Sequence, residues 1–216
     1  MDPTSIISET AGSAFAQPEP EPGQRKRLIM MRHGDLKNID DLKAQVRHSL
    51  QELFLAYPDL AIDAVLYSPL KRTVRTAAEL YNLHVDKSAV QRPGFAFPFQ
   101  KQDWLSEDAF SILEYDGLRE KVRELDESWN TVLLITHSTT APPLAKALQA
   151  QATDMQLVFT MSDFASVLVL DLPSDNWKDA GTEPSEIAKV ILQTKTLNAA
   201  DIPQATDAYI QGLEAG

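Results

Sequence analysis

Three short apolar runs constrain this chain more than any other feature. They are Leu28-Ile29-Met30-Met31, Asp63-Ala64-Val65-Leu66-Tyr67 and Thr131-Val132-Leu133-Leu134-Ile135-Thr136. Each has the length of a buried strand, and helical sequence follows each one. Between residues 39 and 54, Ile39, Leu42, Val46, Leu50, Leu53 and Phe54 recur every three or four positions among charged residues, the pattern of an amphipathic helix that Pro58 closes. Ser68 is placed to cap a second helix with Pro69 at its first position and Leu70, Val74, Ala77 and Tyr81 as its inner stripe. Pro142-Pro143 opens another helix after the third run. Alternating strands and helices predict an α/β three-layer sandwich with a mostly parallel central sheet flanked by helices.

The rest of the chain reads less sharply. Residues 1–26 predict a disordered tail, since the run Gln17-Pro18-Glu19-Pro20-Glu21-Pro22-Gly23 cannot bury enough surface to offset its ordering entropy. That leaves one domain at 27–216. A secretory signal does not fit, because Asp2 stands where basic residues belong and no apolar stretch follows; a cytoplasmic location is the expectation. Residues 91–103 predict an irregular loop with the aromatics Phe95, Phe97 and Phe99, and Ser106 to Leu125 a helix with a break at Gly117. Phe164–Leu172 and Ala188–Thr194 predict late strands, and the last dozen residues a fraying end.

Composition limits the chemistry. The chain of 216 residues has no cysteine, which removes disulfide scaffolds, thiolate metal sites and cysteine nucleophiles. Twenty basic against 31 acidic residues give a formal charge of −11, which opposes binding to nucleic acid or anionic membranes. Any anion site must therefore be a local concentration of positive groups. The three strands supply one. They run into Arg32-His33-Gly34, into Ser68 with Arg72 and Arg75 beyond, and into His137-Ser138. Ligands of open α/β sheets bind outside the carboxyl ends of the strands, where helix amino-termini also favour an anion. Two histidines and up to three arginines at one rim describe a pocket for a compact anion such as phosphate.

These residues resemble a known family. Met31-Arg32-His33-Gly34-Asp35 is similar to the Arg-His-Gly signature of the histidine phosphatase superfamily, which includes the phosphoglycerate mutases. The stretch from Ser68 to Ala77 is similar to its Ser-x-Leu-x-Arg block followed by Thr-Ala, and Val132 to Ser138 to its third block. Thr196-Leu197-Asn198 is similar to its closing segment. The blocks come in the family's order over about residues 27 to 195, so the resemblance implies a phosphoglycerate mutase-like fold. It implies that His33 is a nucleophile forming a phosphohistidine, and that Arg32, Arg72 and His137 bind the non-bridging oxygens, with Gly34 and Ser138 as substrate contacts. A protonated His137 would add a third positive group. Phosphoryl charge lies on three oxygens, so such a site acts by position and electrostatics, and a planar guanidinium can hold two oxygens at once. No cofactor or metal is implied, and the partner is a small phosphorylated substrate or a phosphoprotein.

The sequence also departs from the family. Ser138 replaces a common Gly, and Ile39 stands where many members have Asn, with Asn38 one residue early. The short interval from His33 to Arg72 resembles the small phosphatases, including bacterial phosphohistidine phosphatases, more than a mutase. Asp103, Glu107 and Asp108 are the candidates for a general acid; without one, the substrate needs a good leaving group such as a phosphoramidate. His48 and His84 lack a second ligand at metal-like spacing. A non-catalytic phosphate-binding or scaffolding protein and a mutase-type phosphotransferase stand as alternatives, and the oligomeric state is open.

Overall fold

The computed structural model describes residues 25–85 and 98–214. Residues 1–24 of the expected tail, Phe95 and Phe97 of the expected aromatic loop, and the side chain of His84 lie outside the described residues. The elements follow as β1 (Arg27–Arg32), α1 (Ile39–Ala56), β2 (Ala64–Tyr67), α2 (Lys71–Val85), β3 (Phe99–Lys101), α3 (Ala109–Arg123), β4 (Thr131–Thr136) and α4 (Ala141–Ala147). Then come α5 (Asp154–Thr160), β5 (Val167–Asp171), β6 (Glu186–Ile191), β7 (Thr196–Asn198) and α6 (Ile202–Glu214).

One seven-stranded sheet in the order β3-β2-β4-β1-β5-β6-β7 forms the middle layer. The strands β3, β2, β4 and β1 run parallel, whereas β5, β6 and β7 each pair antiparallel with their neighbour. The α/β sandwich is as expected; its sheet is mixed. The period of two along the strands explains why their sequences read as unbroken apolar runs. Leu28, Met30, Leu66, Val132 and Leu134 face one core, capped by α3, α4, α5 and α6. Ile29, Met31, Val65, Leu133 and Ile135 face the other, under α1 and α2.

Several local expectations are corrected. The domain reaches one residue into the expected tail: Lys26 is buried, and its Nζ donates to the carbonyls of Glu127 and Trp129 and to Asn130 Oδ1. The second helix starts at Lys71, and its buried face is Thr73, Thr76, Ala77, Leu80 and Leu83. Leu70, Val74 and Tyr81 are exposed instead. The threonines can be buried because their hydroxyls donate to nearby backbone carbonyls, Thr73 to Ser68 and Leu70, Thr76 to Arg72. Within the expected loop, Phe99–Lys101 pairs with β2 as an edge strand. The kink in α3 falls at Glu114, with φ 54°, and Gly117 continues the helix at a place where a Cβ would lie 2.9 Å from Leu113. Within the expected fraying end the chain is helical as far as Glu214: α6 buries Ile202 and Thr206 and sets Tyr209 against Phe159. Among the described residues no helix is long and apolar enough to cross a membrane.

Candidate active site

The carboxyl ends of β1, β2 and β4 lie side by side, so their terminal residues share one rim. The backbone N–H of His33 donates to the Thr136 carbonyl, tying the end of β1 to the end of β4. As a result the imidazole rings of His33 and His137 have centroids 5.3 Å apart. Both are buried, at 8% and 1% exposure.

Each imidazole is held in one tautomer. His33 Nδ1 is 2.9 Å from the Gly34 carbonyl, which can only accept, so the proton sits on Nδ1 and Nε2 keeps its lone pair. Gly34 in turn donates its N–H to Thr76 Oγ1. It is glycine for a packing reason, since a Cβ would come within 2.9 Å of Leu42 Cγ. Both backbone groups of Gly34 are engaged, the N–H by Thr76 and the carbonyl by the His33 ring. At His137, Arg72 Nε donates to Nδ1 at 3.1 Å, so the proton is on Nε2, which donates to Ser68 Oγ at 3.0 Å. Burial pushes His33 down to about 4, helped by Arg72 and Arg32 against the Gly34 carbonyl. Burial, then Arg72 and His33, push His137 down to about 4 as well. At about 4, His137 is a neutral donor at pH 7.

The guanidiniums flank the histidines. Arg32 Nη1 donates to the carbonyls of Met161 and Ser162, its Cζ lies 4.4 Å from the centre of the Phe164 ring, and its Nε is buried with no partner among the described residues. That orphan donor suits an acceptor oxygen in the site. Burial pulls the Arg32 pKa below its ordinary value, against the pull of Asp163. Phe164 also touches the His33 ring at 5.6 Å between centroids. Arg72 forms an ion pair through Nη2 with Glu107. Burial raises the Glu107 carboxyl, but the Arg72 guanidinium outweighs it and holds the group below the usual range.

Of the three acid candidates the structure brings Glu107 to the rim. Three threonines fix its backbone: Thr136 donates to the Leu105 carbonyl, Thr140 to Ser106 and Thr139 to Glu107. Asp103 starts the turn before it, and Asp108 lies at the foot of α3, where its carbonyl accepts from Ser111. Ser138 is half-buried beside His137 and Arg75 is exposed on α2. Asn38 caps α1, accepting from the Asp40 N–H, and His48 Nε2 lies 3.3 Å from the Leu192 carbonyl. Sequence reading missed Phe164 and the carbonyls of Met161 and Ser162, which carry no motif; Thr76 and Thr139-Thr140 were visible only as neighbours of Arg72 and His137.

No family model and no curated protein matches the sequence. Solved structures do match. A Nakamurella multipartitia protein provisionally described as the phosphohistidine phosphatase SixA superposes with a TM-score of 0.50 at 18% identity, covering 79% of this chain and 98% of that one. The fold is that of the histidine phosphatases. Two other solved structures are less similar. A Plasmodium falciparum phosphoglycerate mutase has a TM-score of 0.45 at 14% identity, over 68% of this chain and 84% of that one. A mycobacterial glucosyl-3-phosphoglycerate phosphatase has 0.42 at 14%, over 71% and 93%. At these identities the likeness is one of fold.

Proposed function

We propose that the protein is a metal-independent phosphatase that hydrolyses phosphomonoesters or phosphoramidates, of a small molecule or a phosphoprotein, through a phosphohistidine at His33. One observation carries this reading: a buried imidazole whose Nδ1–H is locked to the Gly34 carbonyl, leaving Nε2 unprotonated at pH 7, sits beside a second imidazole and two guanidiniums. A nucleophilic histidine needs that tautomer. In the first step His33 Nε2 bonds to phosphorus while the bond to the leaving oxygen breaks. That oxygen takes a proton from Glu107. The Gly34 carbonyl faces the positive charge that develops on the ring. In the second step water attacks phosphorus and gives a proton to Glu107, the N–P bond breaks, and inorganic phosphate leaves. Arg32 and Arg72 supply donors to the non-bridging oxygens, joined by His137 when its Nε2–H turns from Ser68 Oγ to the phosphoryl group, so positive charge comes from the protein itself.

The test is turnover of an aryl phosphate in the presence of EDTA, followed by acid-free quenching and intact mass. Phosphate release with an acid-labile increment of one phosphoryl group on the wild type, lost in His33→Ala, is the expected result. Unchanged turnover in His33→Ala overturns the reading. Absent turnover with phosphate still protecting against unfolding would instead support a binding module.

A further inference from the structure

The Arg72–Glu107 ion pair raises a difficulty for any anion entering this site. Arg72 is anchored through Nε to His137, and its Nη2 already has an anionic partner. A tetrahedral dianion cannot take Nη2 without displacing the carboxylate. The geometry allows that displacement. The Glu107 side chain is half exposed and Arg72 is 29% exposed, while the backbone under Glu107 is pinned by Thr136, Thr139 and Thr140. The carboxylate can rotate off Arg72 but cannot leave the rim.

We infer that Glu107 and the incoming phosphoryl dianion exchange places on Arg72, and that this exchange loads one proton from solvent onto Glu107. The groups facing Glu107 are Arg72 from α2, His33 from the end of β1 and His137 from the end of β4. In the free protein both histidines are neutral, and among the described residues the cation paired with Glu107 is Arg72. Once that cation turns to the dianion, the carboxylate keeps two negative charges nearby and loses its counter-ion. At about 4 Å and an intermediate dielectric, each such charge moves a carboxyl by roughly three pH units. An ionised latch thus becomes a protonated acid beside the leaving oxygen, and only when substrate is present. The inference rests on the phosphatase reading to the extent that the site takes a dianion, and it explains how a carboxyl held low in the free protein can act as an acid.

Sulfate separates the two claims, because it is a dianion with no proton to exchange near neutrality and no bond to hydrolyse. Calorimetric titration of sulfate at pH 5.5 in buffers of different ionisation enthalpy should show uptake of about one proton per sulfate. Sulfate affinity should rise by up to tenfold for each pH unit lowered above pH 5, a range in which the free histidines stay neutral. Glu107→Gln should abolish the uptake, flatten the pH dependence and bind sulfate up to about a hundredfold more tightly at pH 7, the gain that the wild type makes only on going down to pH 5. Sulfate binding to the wild type without proton uptake overturns the inference while leaving the phosphatase reading intact. Uptake that persists in Glu107→Gln also overturns it, because the proton is then on a histidine. Failure of the wild type to bind sulfate at all removes the anion site and both claims with it.

Discussion

Lowering the pH from 7 to 5 should destabilise this protein through two side chains. His33 and His137 are almost completely buried, and each is pushed down to about 4 from an ordinary value of 6.5. Above pH 6.5 both are neutral folded or unfolded, so they contribute no pH dependence. Below it the unfolded chain binds two protons that the folded chain does not. Stability therefore falls with pH through the window from about 6.5 to about 4 and levels off beneath it. Integrated from pH 7 to pH 5, the loss is about 2 kcal/mol for each histidine, or about 4 kcal/mol for the pair. Against a typical total of 5–15 kcal/mol this is a large fraction. The carboxyls held low, Glu107 and Asp126, begin to matter only at the acid end of this window. Urea unfolding at pH 7, 6, 5.5 and 5 measures the slope, and the double variant His33→Gln/His137→Gln isolates its source. The variant should lose most of the dependence. Equal slopes in wild type and variant would refute the argument, because the unpaired protons would then belong elsewhere.

Three further outcomes follow from the same geometry. Arg72→Ala should lose most turnover of an aryl phosphate, since it both orients His137 and pairs with Glu107, while exposed Arg75→Ala should lose little; equal losses would contradict the assignment. Gly34→Ala forces a Cβ against Leu42 and should destabilise by about 1–3 kcal/mol, read as a drop in Tm of several degrees, with turnover falling further than stability because the carbonyl on His33 shifts. Glu107→Gln should slow hydrolysis of an alkyl phosphate by ~10²–10⁴ and of a phosphoramidate far less, and a uniform loss across both substrates would rule out proton delivery by this residue.

The parts of this fold that were legible in the sequence are those where one periodicity dominates. The strand expected at 131–136 is the strand found, because every residue from Thr131 to Thr136 is buried and no polar neighbour competes. The inner face of α2 was misplaced because two of its buried positions are threonines, which look polar in sequence but satisfy their hydroxyls on the adjacent turn. The short α5 escaped notice at seven residues, although Thr153 and Gln156 form a reciprocal cap at its start. At the site, the three blocks located His33, Arg32, Arg72 and His137 on one rim because strand order and parallel pairing bring their ends together. What they could not give is the direction of each hydrogen bond. Glu107 was one of three acidic candidates, and it is singled out by its ion pair with Arg72 and by the backbone bonds from Thr136, Thr139 and Thr140 that hold its segment at the rim.

Those hydrogen bonds also resolve an electrostatic tension. A chain of net charge −11 repels a dianion at long range, so attraction has to be generated within a few ångströms. Two ionised histidines would provide it, but a protonated His33 has no lone pair with which to attack phosphorus. Burial resolves the conflict by keeping both imidazoles neutral and leaving the positive charge to guanidiniums, which do not lose their protons in this range. Half-buried guanidiniums without a partner are unfavourable, and the free protein meets that requirement differently at each one. Arg32 lies against Phe164 and the carbonyls of Met161 and Ser162, with Nε left over. Arg72 takes the carboxylate of Glu107. One arginine is thus poised with an unused donor and the other is occupied by an exchangeable anion, so selectivity for a doubly charged tetrahedral group arises from what it can displace.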